Sequence, residues 1–200
     1  MESIVKKYQQ RFRRIKDEMG RWEELQSRLI SQFSNASSII QRLQLILDSR
    51  NYGVLKSIEG IEDAVLRKQM DSLQAIFLSI NKTMEEFRGV VSIIEKMVRD
   101  SGQLVGGGSA KQLTAKQLKQ QIGLKPTLED CLSGLRILED MHQSEYRLKL
   151  SVVSALQDLA LKPKSIGDLS ALQQLLIDQP NIPREEVQCI YEIIFAEEIS

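Results

Sequence analysis

The chain has 200 residues, with 27 basic (Lys and Arg) and 27 acidic (Asp and Glu) residues and a single histidine. This length is enough for one domain with a hydrophobic core, and the charge balance excludes a global field that would attract nucleic acid or acidic lipid. Two cysteines, Cys131 and Cys189, are too few for a disulfide framework, so we expect buried free thiols. No apolar run approaches the roughly 20 residues of a membrane span, and the N-terminus lacks the apolar core of a secretory signal.

The first predicted element is a helix from about residue 2 to 48. Apolar residues recur at steps of three and four from Ile4 to Leu47, which is the period of one buried helical face. The segment from Ser49 to Gly53 supplies turn residues and predicts the end of the helix. The beginning of this helix is basic, with Lys6, Lys7, Arg11, Arg13, Arg14 and Lys16.

A second long helix is predicted from Ile58 to about Ser101, with Gly102 as its C-terminal cap. Its apolar residues fall on the narrow stripe that is typical of helices packing on other helices. No proline precedes Pro126, so nothing interrupts helices of about 40 residues. Arg67 and Lys68 break the stripe and form a small basic spot.

Residues 102–126 form the predicted linker. The run Gly106-Gly107-Gly108-Ser109 is flexible by composition. Leu113 and Leu118 are too few apolar residues to anchor a helix. Since no acidic residue accompanies the lysines, we predict a mobile, basic connection at Lys111, Lys116, Lys119 and Lys125.

The third helix is predicted from residue 127 or 128 to about Leu161, with Thr127 as N-cap and Pro163 as its stop. A short helix follows at about 168–178. The last helix is predicted from Pro183, which suits a first helical turn, through Ile199.

The stripe of the third helix contains an anomaly. Continued beyond Leu138, it places three polar residues where apolar ones are expected: His142, Glu145 and Lys149. One interpretation is a polar interruption that is kept for register or for a partner. The other is that the helix rotates and buries Met141, Leu148 and Ala155 instead.

No constellation of residues indicates catalysis. His142 and Glu145 have a spacing found in helical metal sites, but such sites need comparable carboxylates from several helices, and there is no second histidine. The glycine run lacks the strand and the Lys-Ser or Lys-Thr pair of a phosphate loop. We therefore predict no catalytic residue, metal or cofactor, and we take as candidate partner contacts Arg67, Lys68, His142, Tyr146, Arg147 and Lys149.

The predicted fold is all-α, an elongated antiparallel helical bundle or coiled coil of about four helices with two very long N-terminal helices. Residues 1–101 form a helical hairpin, 102–126 the flexible linker, and 127–200 the C-terminal helices that pack back on the hairpin as one bundle. The stripes of the two long helices exceed what the C-terminal helices can cover, which predicts a protein interface. Trp22, Phe77 and Phe87 are the expected internal anchors. Self-association through the same stripe is the alternative.

Several short segments occur in an order that is similar to a known family. They are Trp22-x-x-Leu25, Leu66-Arg67-Lys68-Gln69, a variable linker, Leu138-Glu139 … Tyr146-x-x-Lys149 … Ser154, and Ile182 … Glu186-x-Gln188 … Glu197-Glu198. From about Trp22 onward the chain resembles the AIRIM family of ribosome-maturation factors. It departs from that pattern in a less basic centre of the third helix and in the glycine-rich, basic insert of the linker.

The resemblance implies an all-helical, non-enzymatic adaptor. It implies pairing with a second small helical protein, related to the cyclin-dependent-kinase-interacting protein, and binding of the pair to a hexameric AAA+ ATPase. Such an assembly acts in maturation of the large ribosomal subunit, by recycling shuttling factors between nucleus and cytoplasm, and in protein turnover at replication forks. Contact with the pre-60S particle is then indirect, and neither membrane association nor direct sequence-specific nucleic-acid binding is expected.

The alternative function is a coiled-coil scaffold subunit of a kinetochore, spindle or tethering complex. Both functions belong to non-enzymatic helical proteins, and the periodicity of the helices is equally consistent with either.

The linker prediction is tested by limited trypsin digestion. We expect the first cuts at Lys111, Lys116, Lys119 or Lys125, because glycines and lysines without an apolar face gain nothing that offsets the entropy of ordering. The two fragments should stay associated in gel filtration. First cuts inside residues 60–98 would contradict both the linker and the second helix.

Overall fold

The computed structural model of the chain describes residues 2–106, 114–121, 123–161 and 167–197. Within these ranges all regular structure is helical. In chain order the helices are α1 (Glu2–Ile46), a 3₁₀ helix (Ser49–Ser57), α2 (Ile61–Gly106), α3 (Ala115–Leu118), α4 (Leu128–Leu161), α5 (Gly167–Asp178) and α6 (Arg184–Ile194). The predicted all-α class with two very long N-terminal helices is confirmed.

Contacts divide the chain into two compact units, and the three longest helices contribute to both. Unit 1 comprises residues 1–23, 87–146 and 179–200, and unit 2 comprises residues 24–86 and 147–178. That residues 127–200 complete one bundle with the hairpin stays a prediction. The glycine-rich part of the linker, residues 107–113, and the helix stop at Pro163 lie outside the described residues.

In unit 2, α1 and α2 run antiparallel. Arg28 forms an ion pair with Glu86 at 2.9 Å, and Gln32 donates to the Ser79 hydroxyl at 2.8 Å, so residue numbers rise along α1 while they fall along α2. Apolar side chains from α1, α2, α4 and α5 form the core of this unit. Its buried members include Leu25, Leu29, Phe33, Ile40, Leu73, Ile80, Val152, Leu156, Leu169 and Leu176.

In unit 1, α1 packs against α2, α4 and α6. The buried cluster comprises Val5, Tyr8, Phe12, Ile15, Leu128, Cys131, Leu135, Leu138, Met141, Ile190 and Ile194. Because these side chains come from both ends of the chain, long-range packing stabilises the start of α1.

The second helix is longer than predicted. It continues through Gly102 to Gly106, so the expected cap at Gly102 is wrong. The Tyr8 hydroxyl donates to the Ser101 carbonyl at 2.8 Å, and the Arg11 guanidinium donates to the Ser101 hydroxyl at 2.5 Å. These contacts from α1 support helix past the point where the local sequence alone predicts an end.

The last helix is shorter than predicted, since it ends at Ile194 rather than at Ile199. The amide nitrogen of Gln9 donates to the carbonyls of Ile194 at 2.9 Å and Glu197 at 3.0 Å. The Gln9 side chain thus satisfies the Ile194 carbonyl, which a helix extended to Ile199 would have satisfied internally. No local sequence signal reveals such a partner.

The helix α3 was not expected. It depends on a capping box rather than on apolar anchoring, since the Thr114 hydroxyl accepts from the Gln117 amide N–H while the Gln117 side chain accepts from the Thr114 amide N–H. Thr127 and Asp130 cap the start of α4 in the same reciprocal way. The Asp130 amide N–H donates to the Thr127 hydroxyl at 3.0 Å, and the Thr127 amide N–H donates to the Asp130 carboxylate at 2.9 Å, which confirms the predicted start of that helix.

Gly134 of α4 lies where two other helices approach closely. A Cβ at this position would lie 3.0 Å from Cγ2 of Ile190 and 3.2 Å from Cζ of Phe12. Substitution Gly134→Ala should therefore lower the free energy of unfolding by about 1 kcal/mol, because crowding of the core outweighs the better helix propensity of alanine. Urea denaturation followed by circular dichroism at the helix band measures the change.

The matched control is Gly89→Ala in α2, where a Cβ would meet no atom within 4 Å. There the same substitution should raise the free energy of unfolding by about 0.5–1 kcal/mol through helix propensity alone. Equal stabilisation by the two substitutions would show that the contact at Gly134 is not tight.

Candidate partner-binding surfaces

Three of the six candidate contact residues lie at the surface of unit 2. Arg67 and Lys68 are exposed on α2, and Arg147 is exposed on α4. None of the three pairs with a carboxylate among the described residues. Their charges are therefore available to a partner. Tyr146 is partly buried in unit 1.

The other two candidates are interior residues. His142 is 1% exposed and Lys149 is 0% exposed, and Glu145 between them is also 0% exposed. The polar interruption of the α4 stripe is thus buried, whereas Leu148 and Ala155 stay partly exposed, so the rotated alternative is wrong. His142 and Lys149 offer no surface to a partner in this structure, and they contact other parts of the chain instead.

In unit 1, His142 packs against the single tryptophan. The rings of His142 and Trp22 meet edge to face with centroids 5.0 Å apart, and Trp22 meets Phe87 in the same way at 4.6 Å. Nδ1 of His142 lies 2.7 Å from the Leu138 carbonyl. The indole N–H of Trp22 donates to Oε1 of Gln179 at 2.7 Å. Trp22 and Phe87 are therefore internal, as predicted, and they hold the segment that joins α5 to α6.

Glu145 binds that same joining segment. Its Oε2 accepts from the backbone N–H of Asn181 at 3.2 Å and from the Asn181 side-chain amide at 3.1 Å. Gln179 has a left-handed backbone with φ of 44° directly before Pro180, a conformation that costs energy for a residue other than glycine. The bonds to Trp22 and Glu145 on either side stabilise this turn.

In unit 2, Lys149 connects three helices. Its Nζ donates to Oε1 of Gln26 on α1 at 2.6 Å, and the Gln26 amide donates in turn to the carbonyl of Leu176 on α5. A buried charge is destabilising unless it is hydrogen-bonded. The Lys149–Gln26 pair therefore positions α5 as well as satisfying the ammonium group.

Burial also determines the state of two further groups of unit 1. It raises the pKa of Tyr8 to about 12, so the phenol stays neutral and donates to Ser101. Burial, together with the charge of Asp130, raises the pKa of the Cys131 thiol to about 12, which makes this thiol unreactive. Cys131 is a buried free thiol as predicted, whereas Cys189 is a free thiol that lies exposed, so that half of the expectation is wrong.

An apolar groove lies between α2 and α4 in unit 2. It has a volume of about 410 Å³ and is lined by Met70, Leu73, Gln74, Phe77, Leu78, Asn81, Gln157, Ala160 and Leu161. Leu78 is 65% exposed and Leu161 is 79% exposed. Phe77, expected to be internal, is partly exposed in this groove. The first half of the α2 stripe is thus only partly covered.

A second exposed apolar surface lies at the turn between α1 and α2, also in unit 2. It comprises Leu45, Leu47, Val54, Leu55 and Ile58, and Val54 is 88% exposed. All large exposed apolar side chains of the described residues belong to unit 2 except Leu124 and Ile193. Clusters of exposed apolar side chains are typical of surfaces that bind other proteins.

No arrangement for metal chemistry occurs in the described part of the chain. It contains no group of three or more His, Cys, Asp or Glu side chains that could hold a metal ion. Among the same residues, no helix has the length and apolar character needed to cross a membrane.

Sequence reasoning missed the partners of the buried polar residues. Gln26, Gln179 and Asn181 are ordinary polar residues in the sequence, and nothing local distinguishes them from exposed ones. The one available signal was Gln26 beside Leu25 in the α1 stripe, where a polar residue borders an apolar face.

Comparison with family models identifies the family to which the chain is similar. The family described as CA109-like, ribosome biogenesis protein C1orf109-like, matches residues 2–199. A search of curated proteins found no match. The family match includes every helix of both units.

The bond between Trp22 and Gln179 predicts a clear substitution effect. Trp22→Phe removes the indole N–H, leaves the Gln179 oxygen without this donor and opens a small cavity at a buried site, so the free energy of unfolding should fall by at least about 1 kcal/mol. Chemical denaturation followed by circular dichroism measures the change.

Tyr52→Phe is the matched control, because the buried Tyr52 hydroxyl has no hydrogen-bond partner among the described residues. Its removal should change stability by less than about 0.5 kcal/mol. If both substitutions have the same small effect, the Trp22–Gln179 bond does not stabilise the turn.

Proposed function

The chain belongs to the C1orf109-like family of ribosome biogenesis proteins, the family that the sequence analysis named AIRIM. On that premise we propose that the protein is a non-enzymatic adaptor of an AAA+ ATPase complex. In this proposal the complex acts in maturation of the large ribosomal subunit and releases shuttling maturation factors for reuse. The proposal includes replisome protein turnover as a second setting of the same assembly. The adaptor works in both nucleus and cytoplasm and contacts the pre-60S particle only indirectly.

The observation that carries this proposal is the concentration of exposed apolar side chains in unit 2. Monomers rarely leave several large apolar residues exposed together, because burial of each contributes on the order of 1.5–3 kcal/mol. An adaptor that binds other proteins needs such surfaces. An adaptor also needs no reactive side chain. This agrees with the burial of His142, Glu145 and Lys149 of α4, which contact other parts of the chain.

The groove between α2 and α4 suits a helical partner. An amphipathic helix binds by laying its apolar face into a groove of this kind, and here the groove offers Leu78, Phe77 and Leu161. We assign this groove to the second small helical protein of the assembly. Arg67 precedes Met70 of the groove by three residues, close to one helical turn, so it fits the charged rim that surrounds the apolar part of an interface. Lys68 precedes Met70 by two residues and therefore lies on another side of α2.

The proposal is tested by affinity purification of the full-length protein with quantitative mass spectrometry. We expect the wild-type protein to recover an AAA+ ATPase, a small helical protein and pre-60S components. The double substitution Leu78→Glu with Leu161→Glu should reduce recovery of the small helical protein by about tenfold, because it places charges in the apolar groove. Both residues are exposed, so the fold should persist, which circular dichroism verifies.

The matched control is Leu124→Glu with Ile193→Glu, which introduces the same charges at the exposed apolar residues of unit 1. This variant should keep its partners. Recovery of kinetochore, spindle or vesicle-tethering proteins without an AAA+ ATPase would refute the adaptor and support the scaffold alternative. Equal loss in both double variants would refute the groove as the docking site.

A further inference from the structure

The outer face of α1 in unit 1 is strongly basic, although the whole chain has equal numbers of basic and acidic residues. Its exposed cations are Lys6, Lys7, Arg13, Arg14, Lys16 and Arg21. At about 1.5 Å per residue they extend over roughly 22 Å. The positive charge is thus concentrated along one stretch of a single helix.

Most of these cations are not neutralised within the chain. Lys6, Lys7, Arg14, Lys16 and Arg21 form no ion pair with a carboxylate of the described residues. Carboxylates also lie near them. On α1 they are Glu2, which pairs with Lys125 at 2.6 Å, then Asp17 and Glu18, and Glu23 and Glu24 after Arg21. From other helices, Asp100 lies on the α2 side of Arg14, and Glu192 lies beside Arg13 and Lys16. Glu192 already accepts a hydrogen bond from Gln188 at 2.8 Å.

Two of the cations lie over aromatic rings at α6, and these rings position them. The Arg13 guanidinium lies 5.6 Å from the centroid of the Phe195 ring, and the Lys16 ammonium lies 5.9 Å from that of Tyr191. The two rings are parallel, and the Tyr191 hydroxyl donates to the Phe12 carbonyl at 3.4 Å. Because the rings are held in place, Arg13 and Lys16 lose less freedom when they bind an anion.

The basic face also differs from an ordinary protein interface. Protein interfaces have an exposed apolar or aromatic centre surrounded by a polar rim. Here the rings of Tyr191 and Phe195 are partly buried and lie beneath Lys16 and Arg13, and no large apolar residue of α1 is exposed among the cations. A row of cations without an apolar centre fits a repeating anion, and the phosphodiester backbone is read by such contacts independently of sequence.

We propose that this face, residues 6–21 of α1 with Tyr191 and Phe195, binds the phosphate backbone of RNA. The activity goes beyond the adaptor function proposed above and does not depend on it. The match to a family of ribosome biogenesis proteins favours RNA as the polyanion, and direct binding of RNA by this face would replace the indirect contact with the pre-60S particle in the adaptor proposal. The face offers contacts to phosphates and does not read bases.

The test uses the full-length protein and a fluorescently labelled single-stranded RNA of mixed sequence, with anisotropy measured at several salt concentrations. The triple substitution Lys6→Gln, Lys7→Gln, Lys16→Gln should weaken binding by at least about tenfold. It should also reduce the magnitude of the slope of log affinity against log salt by about 2, since three phosphate contacts are lost.

The matched control is Arg42→Gln, Lys56→Gln, Lys82→Gln, which removes three exposed basic residues from unit 2 and changes the net charge equally. Its affinity for RNA should stay within about twofold of the wild type. The proposal is overturned if the wild type does not bind RNA, or if the control loses as much affinity as the α1 variant. Tighter binding to polyglutamate than to RNA would instead identify the face as a site for an acidic protein.

Discussion

Buried polar side chains on α4 need hydrogen-bond partners inside the protein, and this need determines how the C-terminal segments pack. In unit 1, Glu145 accepts hydrogen bonds from the backbone N–H and the side-chain amide of Asn181. His142 packs against the Trp22 ring, whose N–H donates to Gln179. In unit 2, Lys149 binds Gln26, which binds the end of α5. An apolar seam would tolerate several alignments, whereas each of these bonds is satisfied in only one, so the polar residues give α4 its register.

The difference between a local apolar pattern and long-range polar bonds explains what could be predicted from the sequence. The apolar periodicity closely predicted the bounds of the long helices, because a helical stripe is a local property of the chain. The ends of α2 and α6 differed because Tyr8 and Gln9 reach them from about 90 and 185 residues away along the chain. The polar anomaly of α4 was visible, but its meaning depended on Trp22, Gln26 and Asn181, whose proximity no spacing reveals. His142 and Lys149 were therefore proposed as surface contacts although they lie inside.

The two units present different kinds of surface. Unit 2 exposes apolar groups in the α2–α4 groove and at the turn near Val54, and these are suited to partners that bury area. Unit 1 exposes fewer large apolar side chains, Leu124 and Ile193 among its described residues, and it exposes the cations of α1, whose interactions act at longer range and weaken with salt. Since the same three helices contribute to both units, one chain of moderate length combines an exposed apolar surface with a charged one.

The chain has one tryptophan, and its position has a practical meaning. Trp22 lies in unit 1, is 1% exposed, and is in edge contact with His142 and Phe87. Tryptophan fluorescence, excited at wavelengths where tyrosine does not absorb, therefore reports the solvation of unit 1 alone, whereas the helical circular dichroism signal averages over both units. Two transitions that coincide would identify a single cooperative unit, and two that separate would identify independent folding of the parts. The molecule thus contains a native probe of its own cooperativity.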